Sequence, residues 1–326
     1  MKVIGIGNAL LDVLLRLDGD DVLSEMGVKK GAMDLIDESA MREIQQAQAG
    51  LQRSEVPGGS VGNTMRAMAR LGAEAGYIGK IGSDEAGKVY EAKTKEAGVN
   101  PFFVRTEGIS GCSTVLISPD GERTMATFLG PAETLSDGEI PDEVLRRYDC
   151  VYMEGYLISN DKLFLPLLKR AKGMGLKVAL DLSNFNIVNG FKDLLEEAIP
   201  AYVDILFSNE SEAGAYTGLA AREALDVISG DVEMAVVTVG KDGALAGGHG
   251  KVVHVEALNS HVVDTTGAGD NFAAGFLYGY SVGATLEQSA KLGSLLSANV
   301  IDVVGAQIPE GRWEQIKLKV NEILGK

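Results

Sequence analysis

Short apolar runs alternate with amphipathic stretches along most of the 326-residue chain. In the first half, this pattern predicts strands at 2–7 and 75–79 and helices at 60–71 and 84–97. Such alternation is typical of βαβ units around a parallel sheet with helices on both faces. The second half continues it, with predicted strands at 150–153, 177–180, 205–207 and 234–239 and helices beginning near Asp161, Gly190, Glu210 and Ala220.

Two stretches interrupt this rhythm, at residues 10–36 and 102–128. In the second, STVLISPDGERTMATF predicts two strands joined by a Pro-Asp-Gly turn. We expect both stretches to form one small antiparallel sheet over the carboxyl edge of the main sheet, where open α/β folds bind ligands. Because no linker divides the chain, we predict a single α/β domain over residues 1–326, with this sheet as an inserted lid.

Composition and charge limit the classes of partner that this protein is expected to bind. Hydrophobic residues make up 45% of the chain and charged residues 23%, as in ordinary globular proteins. The formal net charge of −16 disfavours nucleic acid and anionic membranes, although helix N-termini can still bind one small anion. Cys112 and Cys150 are too few for a disulfide framework, and no apolar run is long enough for a membrane span. We therefore predict a cytoplasmic protein with a small-molecule partner.

The segment DTTGAGD at 264–270 precedes an apolar helical pattern, so a helix should begin within its glycines. Gly267 and Gly269, on either side of Ala268, let the backbone approach a ligand closely. The free amides of the first helical turn would form an anion hole for a phosphoryl group, and Asp270 could accept a proton from an attacking hydroxyl. A simple helix cap is the alternative, but it would not need two glycines, two threonines and two aspartates.

The segment PGGSVGNT at 57–64 also precedes a helical pattern. Gly58 and Gly59 leave room for a polar ligand, and Asn63 offers a donor and an acceptor to sugar hydroxyls. The same residues fit the G-x-S-x-G elbow of an α/β-hydrolase with Ser60 as nucleophile. An elbow follows a buried strand, whereas LQRSEVP is polar and ends in proline. The hydrolase alternative also needs a histidine, and the candidates lie in a β-like stretch, namely His249, His254 and His261.

Further polar residues follow predicted strands. Asn8 and Asp12 come after the first strand, where Asp12 could clamp vicinal hydroxyls or lie solvated on an edge strand. Asn209 and Glu212 open a helix, and their oxygens suit magnesium through water or a capping box. The small residues Thr238, Gly240 and Gly243 could form the bottom of a nucleotide-binding site or simply a hairpin turn.

Two incomplete motifs carry less weight. Gly5 and Gly7 follow a strand but lack the third glycine of a dinucleotide fingerprint. The segment GSDEAGKV at 82–89 has the P-loop spacing but ends in valine where the magnesium-binding Ser or Thr belongs. We interpret it as the start of a helix.

These segments together resemble the PfkB, or ribokinase-like, carbohydrate kinase family over nearly the whole chain. DTTGAGD is similar to the C-terminal signature of that family and GGSVGN to its N-terminal signature. The resemblance implies a three-layer ribokinase-like core, with a mostly parallel sheet between helices and a small β-sheet lid. It also implies ATP and Mg²⁺ as cofactors.

The resemblance assigns roles to matching residues. It implies Asp270 as the catalytic base and Gly267, Ala268 and Gly269 as the anion hole. Gly59 and Asn63 would contact the acceptor. The nucleotide and its magnesium would be bound by Asn209, Glu212, Thr238, Gly240 and Gly243. A potassium site near Asp264, Thr266 and Gly305 is a further possibility that the resemblance raises.

Within the family, GNALLD, EGYLIS and YVDILFSNESEA are similar to segments of adenosine kinases. By this resemblance Arg123, in GERTM, would reach the transferred phosphate and Tyr156 would stack on a purine. Val61 and Gly62 depart from the Thr-Gln pair of familiar adenosine kinases, which leaves the acceptor open.

We therefore expect an ATP-dependent kinase for a hydroxymethyl group, with adenosine as the first candidate acceptor. The alternatives are ribose, fructose and 2-keto-3-deoxygluconate. A mixed pocket favours the nucleoside, with Asn8, Asp12 and Asn63 for the ribose and an apolar slot for the base. The slot would be formed by Leu10, Met125, Tyr156 and Phe185. We expect a monomer, with a homodimer paired through the lids as the alternative.

Overall fold

The computed structural model describes residues 1–31, 33–47, 53–120 and 122–326. Within these ranges the chain forms fourteen strands in two sheets. They are β1 Val3–Ile6, β2 Leu10–Arg16, β3 Met33–Leu35, β4 Arg53–Pro57, β5 Ala75–Gly82, β6 Asn100–Thr106, β7 Gly111–Ile117, β8 Arg123–Phe128, β9 Cys150–Glu154, β10 Lys177–Asp181, β11 Ile205–Asn209, β12 Met234–Thr238, β13 Ala244–Gly248 and β14 Lys251–Val255.

Thirteen α-helices accompany these strands in the described ranges. None of them is both long and apolar enough to cross a membrane. They are α1 Asp21–Glu25, α2 Glu38–Ala47, α3 Ser60–Arg70, α4 Glu85–Glu96, α5 Asp142–Leu145, α6 Phe164–Gly173, α7 Phe185–Gly190, α8 Lys192–Tyr202, α9 Glu210–Thr217, α10 Ala221–Asp231, α11 Ala268–Ser281, α12 Leu286–Val300 and α13 Trp313–Leu324.

The large sheet has nine strands in the order β14-β13-β12-β11-β10-β9-β1-β5-β6. The run from β12 to β6 is parallel, and β13 and β14 add an antiparallel edge. All seven parallel strands therefore end at one edge. The predicted α/β fold with a mostly parallel sheet is confirmed.

Helices cover both faces of this sheet because its strands are apolar on both sides. In β9, Cys150 and Tyr152 pack in the same core cluster as residues of α3, α11, α12 and α13. The alternating residues Val151 and Met153 pack in a second cluster with α6, α8 and α10. Two cores on opposite faces of one sheet give the three-layer architecture.

The smaller sheet, which we call the lid sheet, has five strands in the order β3-β8-β7-β2-β4. One face packs a small core against α1 and α2, through residues such as Val13, Leu15 and Leu116. The alternating residues Leu10, Asp12 and Ser113 line a cleft toward the main sheet. The period of two in β2 thus separates the core of the lid sheet from its ligand face.

Parts of the predicted lid are wrong. Residues 102–106 lie in β6, which pairs with β5 in the main sheet. The lid sheet instead includes β4, from the polar segment that we did not predict as a strand, because an edge strand tolerates exposed polar residues and a terminal proline. The sheet is mixed rather than antiparallel, since β2 and β7, like β3 and β8, are parallel.

Smaller boundary differences follow local chemistry. The helix expected near Gly190 is two helices, because α7 ends at that residue and α8 begins at Lys192. The segment with P-loop spacing begins α4, as interpreted, with the Asp84 side chain accepting from the Gly87 amide at 3.1 Å. Gly121 of the predicted turn and residues 51 and 52 lie outside the described residues.

Candidate active site

A cleft of about 820 Å³ lies between the lid sheet and the carboxyl edge of the main sheet. It brings together most of the residues that the sequence predicted for ligand binding, although they come from distant segments. Those that line it are Asn8, Asp12, Gly59, Asn63, Tyr156, Asn209, Glu212, Thr238, Gly267, Ala268, Gly269 and Asp270.

Asp270 lies where the N-termini of α3 and α11 meet. Gly267 has φ of 75° and caps α11, so Asp270 is the third residue of that helix. One carboxylate oxygen accepts from Ser60 Oγ at 2.7 Å and the other from Asn63 Nδ2 at 2.8 Å. Thr64 Oγ1 donates to the Asp270 carbonyl oxygen at 3.1 Å. Residues more than 200 positions apart therefore fix this carboxylate.

Burial raises the pKa of Asp270 above its usual value, and the hydrogen bonds from Ser60 and Asn63 oppose that rise. A carboxylate with a raised pKa is a better proton acceptor than one in open water. The first-turn amides of α11 lie beside it and have no intrahelical acceptors. A carboxylate and a positively polarised helix end therefore face the same part of the cleft.

Close backbone approach explains the glycines. A Cβ on Gly58 would lie 2.1 Å from the Asp12 carboxylate, and one on Gly59 would lie 2.3 Å from the Asn8 carbonyl oxygen. Gly59 also has φ of 77°, a conformation that other residues rarely adopt. By contrast, a Cβ on Gly269 would meet nothing within 4 Å. The position of Gly269 thus leaves open space for a ligand.

Asp12 projects from β2 of the lid sheet into the cleft. Burial raises its pKa to about 7, although Arg66 and Arg123 oppose the rise. No described residue donates a hydrogen bond to this carboxylate. Its oxygens are therefore available to hydroxyl groups of a ligand.

Glu154, at the end of β9, is a site residue that the sequence analysis missed. It is 1% exposed and accepts from the Asn8 amide at 2.9 Å, Asn8 Nδ2 at 2.8 Å and the Val61 amide at 3.1 Å. Burial raises its pKa to about 7. Glu154 joins the loop after β1 to the start of α3. A glutamate directly after the apolar run CVYM could have indicated this role.

Asn209 and Glu212 form a reciprocal capping box at the start of α9. Glu212 accepts from the Asn209 amide at 2.8 Å and from Nδ2 at 2.7 Å, and Asn209 Oδ1 accepts from the Glu212 amide at 2.9 Å. Each Glu212 oxygen keeps an unused lone pair and lines the cleft. The described residues contain no group of three acidic, histidine or cysteine side chains suited to a metal. Magnesium held through water and phosphate fits this pair.

Thr238 lines the cleft, but Gly240 and Gly243 do not. They belong to the hairpin turn between β12 and β13, with φ of 57° and 93°. A Cβ on Gly243 would lie 2.0 Å from the Val255 carbonyl oxygen. The hairpin alternative therefore accounts for both glycines without a ligand.

Arg123 forms an ion pair with Asp264 and donates to Thr266 Oγ1 at 3.1 Å, and it does not line the cleft. The Asp264 carboxylate also accepts from the Thr266 amide at 3.0 Å, from Thr266 Oγ1 at 2.7 Å and from the Gly305 amide at 2.6 Å. Three hydrogen bonds and the ion pair with Arg123 thus occupy this carboxylate. The arrangement does not fit a potassium ion at Asp264.

Two further expectations can be placed. Tyr156 lines the cleft together with Leu10 and Met125, but Phe185 does not and is 47% exposed. The hydrolase alternative fails because Ser60 donates to Asp270. Within the described part of the chain, no histidine lines the cleft.

A carboxylate at a helix N-terminus, in a cleft covered by a small sheet, suits phosphoryl transfer to a hydroxyl group. Residues 29–312 match the family described as "pfkB family carbohydrate kinase". An uncharacterized sugar kinase of Archaeoglobus fulgidus is 32% identical over 242 residues, which cover 74% of this chain and 96% of that protein.

Solved structures agree. A probable sugar kinase from Rhizobium etli has a TM-score of 0.87 and an adenosine kinase from Sinorhizobium meliloti one of 0.86. Each is 32% identical, and the likeness covers 98% of both chains. This chain belongs to the pfkB family of carbohydrate kinases. It is a phosphotransferase that acts on an alcohol group.

Proposed function

We propose that the protein is an ATP-dependent kinase that phosphorylates the hydroxymethyl group of a nucleoside, with adenosine as the first candidate. The position of Asp270 carries this proposal. Its carboxylate lies between Ser60 and Asn63, beside the first-turn amides of α11, which have no intrahelical acceptors. An acceptor hydroxyl at this point can lose its proton to Asp270 while its oxygen bonds to the γ-phosphorus of ATP and the bond from that phosphorus to the leaving ADP breaks.

The two ends of the cleft suit different substrates. Asn8, Asp12 and Asn63 lie on the side of β1 and β2, where they suit the acceptor. Asn209 ends β11 and Thr238 ends β12, on the side where a nucleotide would lie. In this proposal Asn209 and Glu212 would hold magnesium through water, and the ion would supply positive charge that neutralises the phosphates. The first turn of α11 also lines this cleft, and in this proposal its amides stabilise the transferred group.

The choice of a nucleoside rests on the mixed surface around Asp12. Leu10, Leu35 and Met125 line the lid side of the cleft and offer an apolar surface to a purine. Tyr156 lies opposite on the main domain side and can stack on a flat ring. The similarity to the Sinorhizobium meliloti adenosine kinase supports the same acceptor.

A sugar acceptor is the second candidate because the lid sheet also has a polar pair. Ser113 Oγ and Thr127 Oγ1 are 3.0 Å apart, and both residues line the cleft. The hydroxyl groups of a free sugar would hydrogen-bond with these two side chains, whereas the apolar face of a base would offer them no partner. The relative from Archaeoglobus fulgidus, a sugar kinase, supports this alternative.

An ADP-release assay with adenosine, guanosine, inosine, ribose, fructose and 2-keto-3-deoxygluconate distinguishes these candidates. We expect adenosine to give the highest kcat/KM. A reaction without acceptor serves as the control and measures ATP hydrolysis that is not coupled to phosphoryl transfer. A sugar that exceeds adenosine tenfold, about 1.4 kcal/mol of transition-state binding, would contradict the nucleoside proposal and leave the kinase proposal intact. Thr127→Val is a matched probe, since it should weaken a sugar more than adenosine.

A further inference from the structure

Arg66, on α3, is a buried cation that lies over the ring of Tyr90, 5.9 Å from its centroid. It is 6% exposed, and no described carboxylate lies within ion-pair distance. Its Nη2 atom donates to the Pro57 carbonyl oxygen at 2.5 Å, the Gly58 carbonyl oxygen at 3.2 Å and Asn63 Oδ1 at 2.6 Å. Nε and Nη1 are buried without acceptors. Burying a charge with unpaired donors costs folding free energy.

The hydrogen bond to Asn63 decides which way its amide points. Arginine only donates, so Asn63 must turn Oδ1 toward Arg66. Nδ2 then faces Asp270 and donates to Oδ2 at 2.8 Å. A reversed amide would set donor against donor at Arg66 and oxygen against the carboxylate of Asp270.

We propose that Arg66 is a positioning residue for the reaction, which orients the Asn63 amide and through it holds the Asp270 carboxylate toward the acceptor. This inference rests on the proposed role of Asp270 as base. Arg66 itself does not line the cleft and contacts it through the side chain of Asn63. Its side chain instead lines a smaller cavity of about 330 Å³.

The charge of Arg66 acts in the same direction as its hydrogen bond. The groups that interact electrostatically with Asp270 include three acids from neighbouring strands, Asp12 of β2, Glu154 of β9 and Asp181 of β10. Burial raises the pKa of Asp270, and the positive charge of Arg66 lowers it. Arg66 also lowers the pKa of Asp12, together with Arg123. Loss of Arg66 should therefore raise the pKa of both carboxyl groups.

Arg66→Met tests the proposal, with Arg70→Met as its matched control. Arg70 lies one turn further along α3, lines the same small cavity and pairs with Glu310 at 2.9 Å, away from Asn63. We expect Arg66→Met to lower kcat roughly 10- to 100-fold with little change in acceptor KM. The acid limb of the kcat profile should move to higher pH. Arg70→Met should keep the wild-type kcat and pH profile.

Arg66→Lys separates the charge from the orientation and remains informative if Arg66→Met does not fold. Lysine keeps the positive charge but lacks the planar fork. We expect a smaller loss of kcat and an acid limb at the wild-type pH. Arg66→Lys with wild-type kcat would overturn the orienting role, as would Arg66→Met with wild-type kcat and pH profile.

A double-variant cycle with Asn63→Ala tests whether Arg66 acts through Asn63. If it does, Arg66→Met should add little to the loss of kcat that Asn63→Ala causes alone. Fully additive losses would overturn the proposed route. A wild-type enzyme without phosphoryl transfer to any acceptor would instead overturn the proposed function, and this inference with it.

Discussion

We expect Asp270→Asn to fold like the wild type, because an amide can keep the hydrogen bonds around this position. The variant should lose most of its activity, because the proton acceptor is gone. In Asp270→Asn, the new Oδ1 can accept from Asn63, and the new amino group can donate to the Ser60 hydroxyl, which accepts as well as donates. We expect kcat to fall at least about 100-fold, the usual contribution of a general base, while acceptor KM changes little. Steady-state kinetics with ATP and the best acceptor measures this.

Ser60→Ala is the control for that prediction. It removes one hydrogen bond at 2.7 Å from Asp270 but leaves the base and the hydrogen bond from Asn63. We expect a loss of kcat well below that of Asp270→Asn. If Asp270→Asn turned over within tenfold of wild type, Asp270 would not be the base.

At the scale of single residues, the sequence predicted the cleft residues that belong to a short local motif. Asp270, Asn63 and Gly59 lie in two short glycine-rich segments, and the structure brings them together. Glu154 and Arg66 were not predicted, because the role of Glu154 depends on distant contacts and that of Arg66 on the burial of its side chain. Glu154 accepts from Asn8, 146 positions away, and Arg66 is recognisable only by its unpaired buried nitrogens.

At the scale of elements, the position of α3 depends on how closely its first residues approach the loop after β1. The Gly59→Ala variant should prevent that approach, because its Cβ would lie 2.3 Å from the Asn8 carbonyl oxygen, a backbone atom. Asn8 or α3 must then shift. We expect at least a tenfold loss of kcat/KM, since misplacement near 1 Å can cost about 100-fold. A lower melting temperature should accompany it.

Gly72→Ala separates this clash from backbone strain. Gly72 also has positive φ, 97°, but a Cβ there would meet nothing within 4 Å. Both variants strain the backbone, so both should lower the melting temperature. Only Gly59→Ala should lose activity, and equal activities in the two variants would argue against a role for this approach.

The parallel strands and their helices were predictable because apolar runs and amphipathic repeats are local. The lid sheet was less so. Its strand β4 is polar at the sheet edge, and β6 carries the same β-type pattern into the main sheet. Pairing between strands far apart in the chain decides which sheet each joins, and periodicity within one strand does not report it.

At the scale of the whole molecule, the cleft concentrates acidic groups in a chain of net charge −16. Burial raises the pKa of Asp12 and of Glu154 to about 7 and raises that of Asp270. A carboxyl group with a raised pKa binds its proton more tightly in the folded state. Between its unfolded and folded pKa values the folded protein therefore holds more protons, and stability falls as pH rises. The window runs from about pH 4 to about pH 7.

We therefore expect the melting temperature of the protein without ligands to be higher at pH 5 than at pH 8. Asp12→Asn should reduce this difference, because asparagine does not titrate and Asp12 accepts no hydrogen bond from described residues. Asp34→Asn is the control, since it removes the same charge from an exposed position in the lid sheet. High salt screens repulsion between exposed charges but leaves the effect of a buried carboxyl group. The difference between Asp12→Asn and Asp34→Asn should therefore persist in salt, and equal pH slopes in both variants would show that general repulsion, not the cleft, sets the dependence.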